Sequence, residues 1–389
     1  QAFNYGDYKP YLLKTTDGGK TWVSITANLP VKGSTFSIAE DHVNAGLLFA
    51  GTQFGLFFTV DGGNEWIKFT GGLPTATYMD IEIQKRENDL VVSTFGRGVY
   101  ILDDYSPLRS LTKETIRKPA VIFPVKDALM FVEANPFGFR GKGFMGAGFY
   151  TAPNPELAAV FTYYIREEVK TLKQKRRDTE KEKQKKGEDV DYPAYDVLKK
   201  EAEQEDPYLL FIITDEQGNT IRKIKTAVTK GINRISWDMR YLPFNPVTFT
   251  PFDDSYAWNE PDKGYMVVPG TYKVSLQKYE DGNFTEMAAP VSFNCVPLNN
   301  SSLPAADKTA LNAFNRKLAE LTRAMSGADE YRNELTKKIP YLKRAVLDAP
   351  GVPAGVYAQV SAIQKKLNEI NRQLNGDGLR ARYEGAAPI

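Results

Sequence analysis

The chain has 389 residues, 42% of them hydrophobic and 25% charged, a composition that suits a soluble globular protein with room for two or three domains. A formal net charge of +2 gives no electrostatic ground for a nucleic acid or an anionic membrane as partner, and no apolar run approaches the roughly 18–20 residues of a membrane helix. Cys295 is the one cysteine and His42 the one histidine, which excludes an internal disulfide, a cysteine metal cluster and most histidine-based catalysis.

The chain opens on Gln1 rather than Met and shows no signal peptide, so the expectation is a processed or excised piece of something longer. The first feature is an octapeptide written twice. "TTDGGKTW" occupies 15–22 and "TVDGGNEW" occupies 59–66, forty-four residues on. Each follows a short apolar run ("PYLLKT", "GLFFTV") and precedes another ("VSIT", "IKFT"). Asp-Gly-Gly between two strands predicts a hairpin, because glycine accepts positive φ and the Asp side chain bonds nearby backbone N–H groups. The closing tryptophan is expected to fold back over its own turn. On this reading Thr15, Asp17, Gly19 and Trp22, like Thr59, Asp61, Gly63 and Trp66, are self-contained turn devices and not catalytic groups.

Strand-like segments fill the interval: "TFSIAE" and "LLFAGTQFGLFFTV" before the second octapeptide, "TYMDIEIQ" and "DLVVSTFGRGVYILDD" after it. His42, in "AEDHVNAG", reads as a loop residue, and no nucleophile-elbow sequence accompanies it. Four strands per unit and a 44-residue period match a propeller repeat, giving about two blades within residues 1–105. Two blades cannot close a ring of four to eight, so further blades are expected outside this chain.

The Ser/Thr-x-Asp-x-Gly-x-x-Trp pattern resembles the Asp-box, or BNR repeat, of sialidases, sortilin-type receptors and some xyloglucan-cleaving glycoside hydrolases. The "STFGRGVYILDD" segment resembles the last blade of bacterial secreted sortilin-like BNR proteins, often labelled glycosyl hydrolases. The resemblance implies a β-propeller whose boxes lie away from any active site. It also implies a secreted, periplasmic or outer-surface location.

Residues 106–125 read as a linker. From 126 to 300 five or more strands, among them "AAVFTYYI", "YLLFIITDEQGNTIRKIK", "GINRISWDM", "GTYKVSLQKY" and "APVSFNCV", predict a β-sandwich with Trp237 as a core anchor. The order of its motifs resembles the immunoglobulin-like domain of the flagellar hook-capping protein. The stretch 166–206 interrupts it with about 25 charged residues in 41, which cannot bury a core and predicts a solvated helical hairpin, not a nucleic-acid site. "GKGFMGAG" (141–148) contains Gly-x-Gly-x-x-Gly but lacks the flanking strand and helix of a dinucleotide fingerprint, and reads as a loop.

The loop 245–266 is the most ligand-like stretch. Asp253, Asp254, Glu260 and Asp262 gather oxygens that suit calcium, and Tyr256 and Trp258 offer faces for a sugar ring. The same composition also describes a plain long loop, and the spacing matches no EF-hand. No other cofactor is implied.

Leu311, Phe314, Leu318, Leu321 and Met325, then Leu335, Ile339, Leu342 and Val346, and after "DAPGVPAG" Val356, Val360, Ile363, Leu367, Ile370 and Leu374, step by threes and fours. They predict an antiparallel helical hairpin over 301–375, followed by a disordered tail at 376–389. The fold expected is therefore mainly β with α: partial β-propeller, β-sandwich with a charged helical insertion, and C-terminal helical hairpin.

Two functions follow. One is a non-catalytic C-terminal portion of a secreted or cell-envelope BNR-propeller protein, binding or scaffolding protein or glycan. The other is the C-terminal portion of a glycoside hydrolase whose paired carboxylates lie in blades upstream. Arg97 and Arg86 are the only arginines in the two blades, which argues against a sialidase-type arginine cluster, and Arg97 is expected to pair structurally. The partners implied are the remainder of the propeller, or another chain completing it, and an envelope protein or glycan; neither nucleic acid nor a transmembrane segment is implied.

Overall fold

In the computed structural model the described residues are 2–131, 152–247, 251–253, 255–256, 259, 261–299 and 306–384. The chain is mainly β with α, and its contacts divide it into two compact units: residues 1–130, 152–238 and 269–298 form one, and residues 131–151, 239–268 and 299–389 the other.

The first unit begins with a two-stranded hairpin, β1 (Leu13–Lys14) and β2 (Val23–Ser24). A four-stranded antiparallel sheet follows in chain order: β3 (Thr35–Glu40), β4 (Leu48–Thr52), β5 (Gly55–Thr59) and β6 (Ile67–Lys68). Then comes a three-stranded meander, β7 (Tyr78–Gln84), β8 (Asp89–Thr94) and β9 (Gly98–Leu102). The middle sheet is covered on both faces. Every residue of β4 and β5 is buried, and because side chains alternate along a strand the two faces of β4 serve different cores. Leu48, Ala50 and Phe57 meet Leu12, Leu29 and Trp66 on the hairpin side. Phe49, Leu56 and Phe58 meet Tyr78, Ile81, Leu90 and Val92 on the meander side. Full burial of each such side chain contributes about 1.5–3 kcal/mol, so these two interfaces hold the three sheets in a row.

Two single-turn 3-10 helices, Ser106–Ser110 and Thr115–Arg117, close the meander core with Tyr105, Leu108 and Leu111. Next come β10 (Ala120–Ile122), β11 (Ala128–Met130) and β12 (Ala159–Ile165). The segment 141–148 lies outside the described residues. The charged stretch forms α1 (Leu172–Lys186) and α2 (Tyr195–Glu203). Thr171 and Gln174 make a reciprocal cap at the start of α1, and Gly187, at φ 74°, ends it in the left-handed conformation. Arg176 ties the pair together through both oxygens of Glu201 on α2, at 2.6 and 2.8 Å, and also bonds Glu180 one turn on in its own helix at 2.5 Å.

The remaining strands are β13 (Tyr208–Thr214), β14 (Thr220–Ala227), β15 (Gly231–Trp237), β16 (Gly270–Glu280) and β17 (Asn283–Pro297). They build one sheet ordered β10-β12-β15 and another ordered β11-β17-β16-β13-β14, in which only the β11–β17 pairing is parallel. Aromatic rings fill the space between the two sheets. Phe161 stands 5.2 Å from Phe293, Tyr163 4.9 Å from Phe211, and Trp237 5.5 Å from Tyr272, ring centre to ring centre. Trp237 is thus the core anchor its sequence context suggested.

The second unit holds α3 (Lys308–Asp348), capped by the Asp307 carboxylate on the Thr309 and Ala310 N–H groups, with α4 (Gly355–Asn375) and α5 (Gly378–Glu384). Lys343 reaches Gln364 at 2.6 Å and Asn375 reaches Asp329 at 3.0 Å, so α3 and α4 run antiparallel, with Leu335, Ile339, Val360 and Leu367 between them. At 21 residues α4 is about half as long as the 41-residue α3 and pairs only its C-terminal half. The earlier part of the predicted stripe, Leu311 to Met325, stays exposed. The stretch after residue 376, expected to be disordered, is helical over Gly378–Glu384. Among the described residues no helix is long and apolar enough to cross a membrane.

Candidate functional site

Both octapeptides build the same turn. In the first, Thr15 Oγ1 donates to Asp17 Oδ1 at 2.8 Å and accepts the Gly19 N–H at 2.9 Å. Asp17 Oδ1 also accepts the N–H groups of Lys20 and Thr21, both at 2.9 Å, while the Thr21 hydroxyl donates to Oδ2 at 2.7 Å. These donors favour the charged form, and the Thr21 hydroxyl foremost holds the Asp17 carboxyl down at about 2. In the second, Thr59 Oγ1 donates to Asp61 Oδ1 at 2.7 Å and accepts from Gly63, and Asp61 Oδ1 accepts from Asn64 and Glu65. Burial pulls the Asp61 pKa upward, but the Thr59, Glu65 and Asn64 donors outweigh it and leave the net shift downward. Gly18 and Gly62, at φ 74° and 75°, take the left-handed position that the turn requires.

The two tryptophans behave differently. Trp22 is 58% exposed, and its indole Nε1 donates back to Gly19 O of its own turn at 3.1 Å. Trp66 is 3% exposed, and its Nε1 reaches across to Ile25 O at 2.7 Å. Asn28 completes the grip. Its side-chain oxygen accepts the Trp66 N–H at 2.7 Å, and its amide donates to the Trp66 carbonyl at 3.0 Å. The reading of Trp66 as part of a self-contained turn is therefore corrected: it locks the middle sheet to the segment leaving the first hairpin. The cause is the neighbour. Trp66 faces Ile25, Asn28 and Leu29, whereas Trp22 has only its own turn to bond. Sequence reasoning missed Asn28, although extending the 44-residue match past the octapeptide aligns "ITANLP" with "FTGGLP" and exposes the one position, Asn28 against Gly72, that differs in chemistry.

A second constellation lies beneath the meander. The Asp41 carboxylate is fully buried and accepts from Arg109 Nε (2.9 Å), Arg109 Nη2 (2.7 Å), the Tyr105 hydroxyl (2.6 Å) and the Asn44 N–H (2.8 Å). Arg109 also donates to Asn88 Oδ1 at 2.7 Å. Burial works to raise the Asp41 pKa, but the Arg109 and Tyr105 donors and the Arg109 charge bring it to about 2. Burial and the adjacent carboxylate push the Tyr105 phenol well above its usual range. His42 Nδ1 stands 3.6 Å from Asp41 Oδ1. The cluster is an ion-pair lock holding the first 3-10 turn to the middle sheet, with Arg109, the Tyr105 hydroxyl and the Asn44 N–H all directed at the Asp41 carboxylate.

A cleft of about 630 Å3 opens between the second octapeptide and the 3-10 turns, lined by Val60, Ile67, Leu111 and Ile116 with Asp61, Glu65, Lys113 and Arg117. Its lining mixes these four apolar side chains with two acidic and two basic ones. Lys113 sits 3.8 Å from Glu65. Arg97, expected to pair structurally, is exposed between Gly96 and Gly98 and forms no ion pair with a described residue.

Of the 245–266 loop, Asp254, Trp258 and Glu260 lie outside the described residues. Asp253 accepts the Ser255 N–H at 3.0 Å and Asp262 the Asn245 N–H at 3.0 Å, so the described carboxylates brace the loop. Tyr256 is half exposed. Among the described residues no group of three or more His, Cys, Asp or Glu side chains is disposed to hold a metal ion. Cys295 is buried, and burial together with the nearby Asp127 pushes its thiol up to about 12.

No family model matches the chain, and no curated protein matches it. Among solved structures it aligns with the extracellular domain of a one-component system of B. thetaiotaomicron, at 10% identity and a TM-score of 0.19, over 74% of this chain and 28% of that one. The chain thus spans under a third of that structure's length, and a likeness of this size carries neither fold nor function to it.

Proposed function

We propose that the sheets of residues 13–102, with two, four and three strands, are one whole blade and parts of its two neighbours in an Asp-box β-propeller, and that the chain is the C-terminal, non-catalytic portion of a secreted or cell-envelope protein of that type, working in protein or glycan binding and scaffolding. The observation that carries this reading is the row of sheets itself. Two copies of one turn, forty-four residues apart, occupy equivalent places on successive sheets, and the second is gripped by the segment that follows the first. Radial repetition of that contact is the construction of a propeller.

A scaffolding role is supported by the fate of the titratable groups. Asp17, Asp61 and Asp41 are held ionised by structural donors and Cys295 is held neutral by burial, so each is tuned for packing and away from acid–base work near pH 7. The cleft beside the second box, with its mixed apolar and charged lining, is the surface proposed to meet a ligand. The test is a glycan array and an envelope-extract pull-down, run with the wild-type chain and with Lys113→Glu/Arg117→Glu, alongside chromogenic glycosides. Binding to a defined glycan or protein, weakened by the double substitution and without turnover, is expected. Turnover of a glycoside would replace this reading with a hydrolase.

A further inference from the structure

The internal repeat supplies its own template for what the first octapeptide lacks. Leu13 and Trp22 correspond, forty-four residues on, to Phe57 and Trp66. In the second copy both side chains are buried against the preceding hairpin, Phe57 at 7% exposure and Trp66 at 3%. In the first copy the same two positions are 57% and 58% exposed. Leu12 and its counterpart Leu56 are buried in both copies, so the exposure belongs to one face of the hairpin and not to a frayed turn. Backbone geometry agrees: Ile25 N–H donates to Leu12 O at 3.0 Å, and Phe69 N–H to Leu56 O at 2.9 Å, the same bond in the two copies.

The clamp residue tracks the tryptophan it holds. Asn28 precedes Trp66 by 38 residues and makes both backbone bonds to it. Its repeat counterpart is Gly72, which offers no side chain, and the residue 38 beyond Gly72 is Ser110, so no tryptophan stands there to be held. Asparagine at this position is thus tied to a box on the next sheet. The Trp22 backbone and indole present the groups that Asn28 and Ile25 satisfy for Trp66, and Trp22 Nε1 meanwhile makes a bond within its own turn.

We infer that the face formed by Leu13 and Trp22 is a docking surface for a further sheet of the same repeat, not one of the three in this structure, whose outgoing segment presents an asparagine side chain to the Trp22 backbone and a carbonyl to its indole. The inference rests on the propeller reading and specifies the partner that reading leaves general. On docking, the indole N–H moves from Gly19 O to the incoming carbonyl, and two exposed apolar side chains become buried. At the far end of the row Val99 and Ile101 are likewise exposed on β9, as expected where a ring continues.

The experiment uses the full chain with its tryptophans labelled with 15N, the Trp22 indole signal being identified by its loss in Trp22→Phe. The probe is an unlabelled synthetic peptide of residues 11–31, which carries the hairpin and the outgoing segment with Asn28. The Trp22 signal is expected to shift on titration, and the Asn28→Gly form of the peptide to bind roughly tenfold more weakly, two hydrogen bonds being lost. No shift at millimolar peptide, or equal shifts from both peptides, overturns the inference. A Trp22 shift that follows the concentration of the chain alone also overturns it, by making a second copy the occupant. The reading beneath it fails separately: Asn28→Gly in the full chain must displace the Trp66 signal, and an unmoved Trp66 would sink the sheet-to-sheet lock itself.

Discussion

The guanidinium of Arg109 closes on both oxygens of the Asp41 carboxylate, 68 residues away in sequence, through bonds of 2.9 and 2.7 Å. Planar, two-point recognition of this kind is both strong and directional. It fixes the exit from the last meander strand against the loop between β3 and β4, so the 3-10 turn at Ser106–Ser110 and the middle sheet form one body. Asn28 and Trp66 perform the equivalent task one sheet earlier.

Removing one partner of the Asp41 lock leaves the other buried and unpaired. Asp41→Ala is expected to lower the stability of the first unit by about 3 kcal/mol, with Arg109→Ala similar, and the double variant less destabilised than the sum. Urea unfolding followed by fluorescence measures all three.

Acid should loosen the same lock. The folded-state pKa of Asp41 is about 2, below the ~3.9 of an unfolded aspartate. A depressed folded pKa means that the stabilisation is complete above about pH 4 and is lost as pH falls through about 2. Stability measured between pH 5 and pH 2 should decline in the wild type, and decline less steeply in Asp41→Asn.

The two tryptophans predict an asymmetry. Trp66→Ala removes a buried side chain and is expected to cost about 3–5 kcal/mol, whereas Trp22→Ala should cost no more than about 1 kcal/mol. Equal melting-temperature shifts for the two variants would contradict the burial described above.

The turn glycines sort in the same way. Gly63 has φ 98°, and a Cβ there would lie 2.7 Å from the Ile25 Cβ; Gly18 has φ 74° with nothing within 4 Å. Gly63→Ala should therefore destabilise by about 3 kcal/mol and Gly18→Ala by about 1 kcal/mol, measured by the same unfolding curves.

Cys295, buried and with its thiol pushed up to about 12, should resist thiol reagents in the native protein at pH 8. Its labelling rate is expected to follow opening of the sheet that contains it as urea is added. Labelling within seconds without denaturant would place the thiol at the surface.

What the sequence disclosed was mostly local. The Asp17 and Asp61 turns could be anticipated because each carboxylate is satisfied within four residues. Trp237 was legible as an anchor from its place in a strand-rich region whose motif order resembles an immunoglobulin-like domain, and it is buried at 1% exposure. The Asp41–Arg109 lock was not, since no periodicity links residues so far apart. Asn28 was not legible because the partner it serves, Trp66, lies 38 residues on in the next sheet, and its own repeat counterpart is Gly72. The apolar stripe from Leu311 to Met325 marked a helix correctly, but pairing depends on the length of α4, and α4 is too short to cover it.

Hydrogen exchange at the indole N–H groups, followed by NMR on the native chain, tests the central claim most directly. If the middle sheet is clamped by its neighbour while the first sheet offers an open face, the Trp66 indole exchanges slowly, near the rate of global unfolding, and the Trp22 indole exchanges within the dead time. Equal protection of the two indoles would contradict the account.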